Sequence, residues 1–280
     1  DYLFTQPHAT LKGEDYYYTP EEGYFRLFEF IKGTHTADVC RTALQAYEAA
    51  KQFGKFTAVF SGLRTDMLRY TIPDFHNLSF RYRQFEDALQ HGNTERINTS
   101  FEEINFISSN KNILLEFESI KKDHGFKTRV THHDTKINNV LLDEDSKGVA
   151  VIDLDTVMPG YFISDAGDMM RTYLSPANEE EKDFSKIFIR PNFFKAIAEG
   201  YLSEMKNELS ETEKRHFVYS GKFMTYMQAL RFLTDHLNND IYYGAKYDGH
   251  NLVRAGNQIA LLRCILQSED QLNSTVESLL

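Results

Sequence analysis

The sequence has no tryptophan and only two cysteines among its 280 residues. Cys40 and Cys264 lie far apart inside patterns typical of helices and match no metal-ligand spacing, so we expect buried thiols in a reducing cytoplasm. No apolar run approaches the ~18 residues that a membrane-spanning helix needs. The chain begins at Asp1 without a basic and apolar leader, so we expect no signal peptide. These absences favour a cytoplasmic location and no membrane partner.

Glycines are also spaced wrongly for a phosphate-binding loop. No two of the 15 glycines are two positions apart, so the sequence contains no G-x-G motif. Gly244 and Gly249 have the spacing of a Walker motif, but His250 and Asn251 follow where that motif needs lysine and then serine or threonine. A P-loop nucleotide site is therefore excluded.

The charge balance limits the partners of the protein. The sequence carries 41 acidic against 31 basic residues, which gives a net charge of −10. Such a chain repels nucleic acid and anionic membranes. We expect a small-molecule substrate, no nucleic acid and no membrane. The negative charge suits a cationic substrate but does not locate a pocket.

Polar side chains concentrate in one stretch of the sequence. Asp134 is followed five positions later by Asn139. Two apolar runs of strand length, 140–142 and 149–152, come next, and the second ends at Asp153. In an antiparallel hairpin the start of the first strand lies beside the end of the second. The pattern predicts that Asn139 and Asp153 converge beside Asp134.

This arrangement suits phosphoryl transfer, in which positioning and charge neutralisation carry most of the catalysis. Mg²⁺ prefers carboxylate and amide oxygens and keeps several waters. Protein kinases place a catalytic aspartate five positions before a metal-binding asparagine and use a second, downstream aspartate. The same gap separates Asp134 from Asn139. Lys136 stands where many protein kinases keep a lysine near the transferred phosphate.

In a competing interpretation, the same stretch forms a metal site that catalyses hydrolysis. Five side chains could ligate a divalent metal: His132, His133, Asp134, Asp153 and Asp155. Adjacent His-Asp pairs of metal phosphohydrolases lie on helices, whereas the flanks here are strand-like, and Asn139 would have no role. We therefore rank a metal-dependent phosphohydrolase below a phosphotransferase.

Two segments carry a family resemblance. Residues 132–141, HHDTKINNVL, and 151–160, VIDLDTVMPG, resemble the H-G-D-x-x-x-x-N and I-D-[WFL] signatures of the aminoglycoside phosphotransferase and choline kinase superfamily. Within it, the N-acetylhexosamine 1-kinase-like sugar kinases are the most similar group. The resemblance implies an α+β, protein-kinase-like fold. It would have a mainly helical C-terminal lobe, a small β-hairpin catalytic region and a partial N-terminal β lobe.

The resemblance also implies a division of the chain. Residues 1–32 would be a partial small lobe with its last strands and hinge, and residues 33–280 a helical large lobe with the catalytic and metal loops. The phosphate loop and the nucleotide lysine of the family would lie upstream of Asp1. The activity of this exact polypeptide is therefore open, and so is the alternative of a non-catalytic nucleotide-binding scaffold.

The resemblance assigns roles around the phosphate. Asp134 would deprotonate the attacking hydroxyl, and Lys136 would support the transferred phosphoryl group. Asn139 and Asp153 would hold Mg²⁺. His132 and Asp165 would give structural support. The carboxylate of Asp165 would accept hydrogen bonds from the backbone of the catalytic loop.

The resemblance assigns further residues to the two substrates. Glu29, Phe30 and Ile31 would present their backbone to the adenine of ATP, although spacing alone favours a plain strand over 24–31. Arg231 and Tyr242 would reach a sugar, the alternative being an interhelical salt bridge and a loop aromatic. Asp155 would contact the substrate, or serve only in a turn.

Periodic apolar residues predict the helices. We expect a first helix capped by Thr36 and stopped by Gly54. Phe101 should face the core, and His76 should be an ordinary polar histidine in a break. The other helices are expected at 77–91, 100–121, 193–205, 211–237 and 250–267.

Together these patterns predict an ATP- and Mg²⁺-dependent small-molecule kinase, whose acceptor is best taken as the anomeric hydroxyl of a sugar or N-acetylhexosamine. Kinases of choline or aminoglycosides share the same machinery and stay as alternatives. The sequence fixes neither the acceptor nor the oligomeric state.

Overall fold

The computed structural model describes residues 2–280 and is mainly helical. Its helices are α1 (Ala43–Val59), α2 (Leu78–His91), α3 (Thr94–Thr99), α4 (Phe101–Ser109), α5 (Asn112–Ile120), α6 (Phe162–Tyr173), α7 (Pro191–Met205), α8 (Glu211–Arg215), α9 (Phe217–Leu237), α10 (His250–Gln267) and α11 (Glu269–Glu277). The strands are β1 (Tyr17–Thr19), β2 (Gly23–Phe25), β3 (Arg129–Thr131), β4 (Val140–Leu142), β5 (Gly148–Val151) and β6 (Met158–Gly160). These elements confirm the predicted α+β class. Within the same residues, no helix is both long enough and apolar enough to cross a bilayer.

Helix α9 is the centre of the helical region. Almost all of its residues are buried, and α2, α6 and α10 pack around it. The prediction of one helix over 211–237 is wrong, because the chain breaks at His216. The preceding α8 has its own capping box, formed by Ser210 and Glu213, so it begins and ends as a separate turn.

Helix α1 differs from its prediction at both ends. Its N-cap is Thr42, which forms a capping box with Gln45, rather than Thr36. The helix also continues through Gly54. A Cβ at Gly54 would lie only 2.9 Å from the carbonyl oxygen of Tyr201. This glycine therefore allows α1 and α7 to pack closely and does not end the helix.

The helix predicted over 100–121 is interrupted at Asn110. The side-chain amide of Asn110 donates to the carbonyl oxygen of Phe106 at 2.8 Å, and its backbone N–H donates to the same oxygen at 3.2 Å. This side chain competes with continuation of the helix, as asparagine commonly does. The prediction that Phe101 faces the core is wrong, since 68% of its surface is exposed.

Both cysteines are free thiols. Cys40 lies in the loop before α1, not in a helix as predicted, and Cys264 lies on α10. Burial raises the pKa of Cys40 to about 12, so it stays protonated and unreactive.

The hairpin predicted from the two apolar runs is present. β4 and β5 are antiparallel, and Val140 pairs with Val151. The Gln52 side chain of α1 donates from Nε2 to the carbonyl oxygen of Gly148 at 2.6 Å, which fixes the hairpin to the helical region. β3 and β6 form a separate antiparallel pair.

The N-terminal region is less regular than the sequence predicts. Only the start of the predicted strand 24–31 lies in a sheet, where β2 pairs with β1. Phe28 then forms a single bridge with Pro7. Farther along, His35 and Leu142 exchange two backbone hydrogen bonds of 2.9 Å each. This exchange attaches the segment directly to β4.

Gly167 sets how closely α6 packs against α9. A Cβ at this position would lie 2.2 Å from the carbonyl oxygen of Ser220, which belongs to the backbone of α9. We predict that Gly167→Ala lowers the free energy of unfolding by about 1–3 kcal/mol, the usual cost of overpacking a core. Urea unfolding measures the change.

Gly62→Ala is the matched control for this variant. No atom lies within 4 Å of the Cβ that it would add, so its stability should change little. Equal losses in the two variants, or no loss in Gly167→Ala, would contradict the packing explanation.

Candidate active site

Asp134 is held by two neighbours from its own loop. Asn139 donates from Nδ2 to Oδ2 of Asp134 at 3.0 Å and to its carbonyl oxygen at 2.8 Å. The Nζ atom of Lys136 lies 2.9 Å from Oδ1 of the same carboxylate. Burial opposes the charge of Lys136, but Asp134 and Asp168 outweigh it and raise its pKa. The structure thus brings both Lys136 and Asn139 into direct contact with Asp134.

The orientation of Asn139 leaves its side-chain oxygen available. Its amide nitrogen is used by Asp134, and no group within residues 2–280 donates a hydrogen bond to Oδ1. The backbone N–H of Ile152 donates to the carbonyl oxygen of Asn139 at 2.9 Å, which extends the β4–β5 pairing by one step. Asp153 follows with a left-handed backbone (φ 60°, ψ 61°). An amide oxygen and a carboxylate therefore lie at the same end of the hairpin.

A cavity of about 710 Å³ opens beside Asp153. Glu29, Phe30 and Ile31 line this cavity together with Leu141 of β4. The residues that the resemblance assigns to adenine and the carboxylate that it assigns to Mg²⁺ thus line one cavity.

A buried carboxylate fixes the backbone that precedes Asp134. Asp165 of α6 accepts hydrogen bonds from the backbone N–H groups of His132 at 2.9 Å and His133 at 2.8 Å. Burial raises the pKa of Asp165 to about 7, although the two N–H donors act to lower it. Asp165 thus anchors the loop through its main chain.

The ring of His132 is fully engaged by the backbone. Its Nε2–H donates to the carbonyl oxygen of Ile152 at 3.0 Å, and the backbone N–H of Asp134 donates to Nδ1 at 3.3 Å. Burial lowers the pKa of His132. Because both ring nitrogens are occupied, His132 is not free to ligate a metal.

The hydrolase interpretation therefore does not fit the site. In the part of the chain that the structure describes, no group of three or more histidine, cysteine, aspartate or glutamate side chains is arranged to hold a metal. The five proposed ligands do not converge as a metal-dependent phosphohydrolase would require.

Asp155 also lines the cavity beside Asp153 and contacts the N-terminal region. It forms an ion pair with Arg26 at 2.6 Å, in which both side chains are about half exposed. Its carbonyl oxygen accepts a hydrogen bond from Thr71. The pair joins the N-terminal segment to the loop after β5. Contact of Asp155 with a substrate stays a prediction.

Arg231 and Tyr242 line a second cavity, of about 350 Å³. The Cζ atom of Arg231 lies 5.4 Å from the ring centroid of Phe75 and 5.8 Å from that of Tyr242. Arg231 donates from Nη1 to Gln228 and forms no ion pair within residues 2–280. The interhelical salt bridge considered for Arg231 is therefore absent from that part of the chain.

Phe75 and His76 connect this cavity with the loop of Asp134. The Phe75 ring stacks on His76 with centroids 4.4 Å apart, and the His76 ring lies 5.1 Å from that of His133. His76 is not the ordinary polar histidine that we predicted. Its Nδ1 is buried without a partner among the described residues, and burial, with His133 and Arg231 nearby, holds its pKa well below the usual value.

Three residues of this region, Phe75, His76 and Arg81, were not predicted as parts of a site. The segment 72–76 has no periodicity that would mark it as part of a site. A signal did exist for Arg81, because it occupies the apolar stripe of α2, three positions after Leu78. A charged residue on a buried stripe is unusual without a specific role.

His133 combines a left-handed backbone with a buried ring. Its φ is 67°, at the position where the family signature has glycine. The ring packs against Gly160, where a Cβ would lie 2.5 Å from Nε2. Burial lowers the pKa of His133 to about 4, so its ring is neutral in the folded protein near pH 7.

This lowered pKa makes the folded state sensitive to acid. Between pH 6.5, the ordinary pKa of histidine, and pH 4, about the pKa of His133 in the folded protein, the imidazole of His133 is protonated more readily in the unfolded chain than in the folded one. The contribution to stability is present above pH 6.5 and is lost as the pH falls toward 4, by up to about 3 kcal/mol. We predict that His133→Gly weakens this pH dependence of the free energy of unfolding, as measured by urea unfolding from pH 7 to 4.

His124→Gly at an exposed turn is the control, because that side chain meets water in both states. It should keep the slope of the unsubstituted protein. An unchanged slope in His133→Gly would disprove the assignment.

Comparisons with known proteins identify the family and the fold. A family model described as APH, phosphotransferase enzyme family, matches residues 6–210. The fold is similar to an aminoglycoside phosphotransferase from Alicyclobacillus acidocaldarius, with 12% identity over 98% of this chain and 78% of that chain and a TM-score of 0.60. It is also similar to a choline kinase from Cryptosporidium parvum, with 16% identity over 94% of this chain and 76% of that chain and a TM-score of 0.52.

A third similar structure is a spectinomycin phosphotransferase in complex with ADP and spectinomycin, with 14% identity over 94% of this chain and 77% of that chain and a TM-score of 0.56. At such low identities these likenesses show the fold alone, and they confirm the predicted protein-kinase-like fold. Because the family match spans well over half of its length, the chain belongs to the phosphotransferase enzyme family.

Proposed function

We propose that the protein is an ATP- and Mg²⁺-dependent kinase that phosphorylates the anomeric hydroxyl of a sugar, with an N-acetylhexosamine as the first choice. One observation carries this proposal. Asn139 binds Asp134 through its amide nitrogen, which leaves its side-chain oxygen free at the end of the hairpin where Asp153 follows β5, and Asp153 lines the same cavity as Glu29–Ile31.

The donor set fits Mg²⁺. This ion uses few protein ligands, favours carboxylate and amide oxygens, and completes its shell with waters and substrate phosphates. Asn139 and Asp153 would hold it, and the bound metal would supply charge neutralisation at the nucleotide phosphates.

The protein's own groups supply the rest of the chemistry. The carboxylate of Asp134 would orient the acceptor hydroxyl and take its proton. Lys136, whose raised pKa keeps it protonated, would stabilise the transferred phosphoryl group. Asp165 would keep the loop in place through its two backbone hydrogen bonds. Such preorganised charges act without rearranging during the reaction.

ATP is the proposed donor because of the larger cavity and the fold. The spectinomycin phosphotransferase of similar fold was solved with ADP. Glu29–Ile31, which line this cavity, would present their backbone groups to the adenine. We also propose that residues 1–32 belong to a small lobe and residues 33–280 to a large one, and that the protein acts in the cytoplasm.

The charges of the second cavity favour a sugar over choline or an aminoglycoside. Arg81 and Arg231 line this cavity, and both lack an acidic partner among the described residues. A cationic acceptor would meet their repulsion. A sugar can instead accept hydrogen bonds from Arg231 and pack on the exposed ring of Tyr242. A panel of sugars, choline and aminoglycosides, assayed with ATP and Mg²⁺, tests the choice.

Removal of the proposed base should abolish most turnover. We predict that Asp134→Asn lowers kcat by about 10²–10⁴-fold, the usual contribution of general-base catalysis, and leaves ATP affinity nearly unchanged. Steady-state kinetics and ATP titration measure the two effects. Asp145→Asn, at an exposed position of the β4–β5 turn, is the matched control, and unchanged turnover in Asp134→Asn would reject the role.

The metal assignment is tested through binding, without turnover. We predict that Mg²⁺ tightens ATP binding to the unsubstituted protein and that Asp153→Asn removes this gain, because one of the two protein ligands is lost. Calorimetric titration of ATP with and without Mg²⁺ measures it, again with Asp145→Asn as control. A protein that binds ATP equally well without the metal would instead be a non-catalytic scaffold.

A further inference from the structure

Two buried arginines in the smaller cavity lack an acidic partner. Only 9% of the surface of Arg81 and of Arg231 is exposed. Arg81 donates to the side chain of Gln84 at 3.0 Å and to the carbonyl oxygen of Phe75 at 3.4 Å, while its Nε–H is buried without a partner in residues 2–280. Arg231 donates to Gln228 at 3.2 Å. A buried cation normally needs a counter-charge.

Two acids also line this cavity, but neither forms an ion pair with Arg81 or Arg231 within residues 2–280. Asp235 accepts the backbone N–H groups of Tyr242 at 2.7 Å and Tyr243 at 2.9 Å, and its Oδ2 also accepts from Asn251 at 3.1 Å. These three hydrogen bonds hold the loop after α9. Asp87 at the rim is largely exposed and contacts His91, so water screens its charge.

The two guanidinium groups also act on each other. Burial lowers the pKa of Arg81, and the charge of Arg231 lowers it further, while Tyr242, Tyr243 and Asp74 oppose the shift. Two like charges share one cavity, and the exposed Arg83 stands at its margin. A ligand that carries negative charge would satisfy both buried cations at once.

This cavity is joined to the transfer site by contact. Arg231 packs on Phe75, Phe75 on His76, and His76 on His133, which directly precedes Asp134. Three successive contacts therefore connect the arginines to the loop that carries Asp134.

We propose that the acceptor is an acidic sugar, whose carboxylate, sulfate or phosphate binds between Arg81 and Arg231 while its hydroxyl faces Asp134. This inference rests on the proposed sugar kinase function. It names the substrate class and assigns Arg81 as a specificity-determining residue.

A purely structural role makes a different prediction. Arg231 lies near the rings of Phe75, Tyr242 and Tyr243, and such cation–π contacts would stabilise the fold without any ligand. If packing were the only role of the two arginines, substitution of Arg81 or of Arg231 would change stability and would affect neutral and acidic sugars equally.

The test compares pairs of sugars in which one member carries an anionic group at C6: glucose with glucuronate, and N-acetylglucosamine with its 6-sulfate. For the unsubstituted protein we expect kcat/KM to be at least about 10-fold higher for the acidic member of a pair. Arg81→Gln should lower the value for the acidic sugar by about 10- to 100-fold, the usual range for one lost charge-assisted contact, and change the neutral sugar little. Arg81→Lys should recover part of the preference.

Arg215→Gln on α8 is the matched control, since it removes the same charge from an exposed position that does not line the cavity. The thermal midpoint of each variant shows whether it is folded. Equal rates for the two members of each pair, or equal losses for both in Arg81→Gln, would overturn the proposal.

Calorimetric binding of the same sugars without ATP separates this inference from the proposed function. Arg81-dependent binding of the acidic sugar without phosphorylation of any sugar would reject the kinase reaction but support the anion site. Arg81-dependent binding of inorganic sulfate, with no advantage of the acidic over the neutral sugar, would show a site for a free anion and overturn the proposal.

Discussion

The hydrogen bonds from the backbone of His132 and His133 to Asp165 are the constraint on which the site depends. They join the loop of Asp134 to α6, and α6 packs along α9, the most buried helix of the protein. The ring of His132 then reaches β5 through the carbonyl oxygen of Ile152. One buried carboxylate and one imidazole thus fix the position of the loop relative to both the helices and the hairpin. Phosphoryl transfer depends mainly on such positioning, because the protein has little covalent chemistry to perform.

The two cavities have different chemical characters. The larger one lies beside the hairpin and the segment Glu29–Ile31, and its carboxylate, Asp153, suits a metal. The smaller one is lined by Arg81 and Arg231, and neither of its acids, Asp87 and Asp235, forms an ion pair with them within residues 2–280. A net charge of −10 for the whole chain gave no sign of this positive cavity, because a sum over the surface does not describe a single pocket.

The local parts of the site could be predicted from the sequence, whereas contacts between distant segments could not. The two apolar runs predicted the hairpin. The five-residue gap between Asp134 and Asn139 predicted that these two side chains belong to one site. Helix ends were less predictable. Gly54 lies within α1 and packs against α7 instead of ending the helix, and Asn110 interrupts a helix through a single side-chain hydrogen bond.

The second cavity shows the same limit more sharply. His76 and Arg81 acquire their surroundings from α9, more than a hundred residues away in the sequence, and periodicity within 72–91 carries no information about that neighbour. The positions of Glu29–Ile31 were likewise predicted only through the family resemblance, because spacing alone indicated an ordinary strand.

The exchange of hydrogen bonds between His35 and Leu142 has a mechanical consequence. It adds a third short segment to the edge of the hairpin, so a continuous ladder runs from β5 through β4 to the stretch that follows Ile31. A nucleotide bound as proposed above, with its base near Ile31 and its phosphates near Asp153, would touch this ladder at both ends. The two ends of such a ligand would therefore rest on one continuous strip of hydrogen-bonded backbone, which the His35–Leu142 bonds hold together.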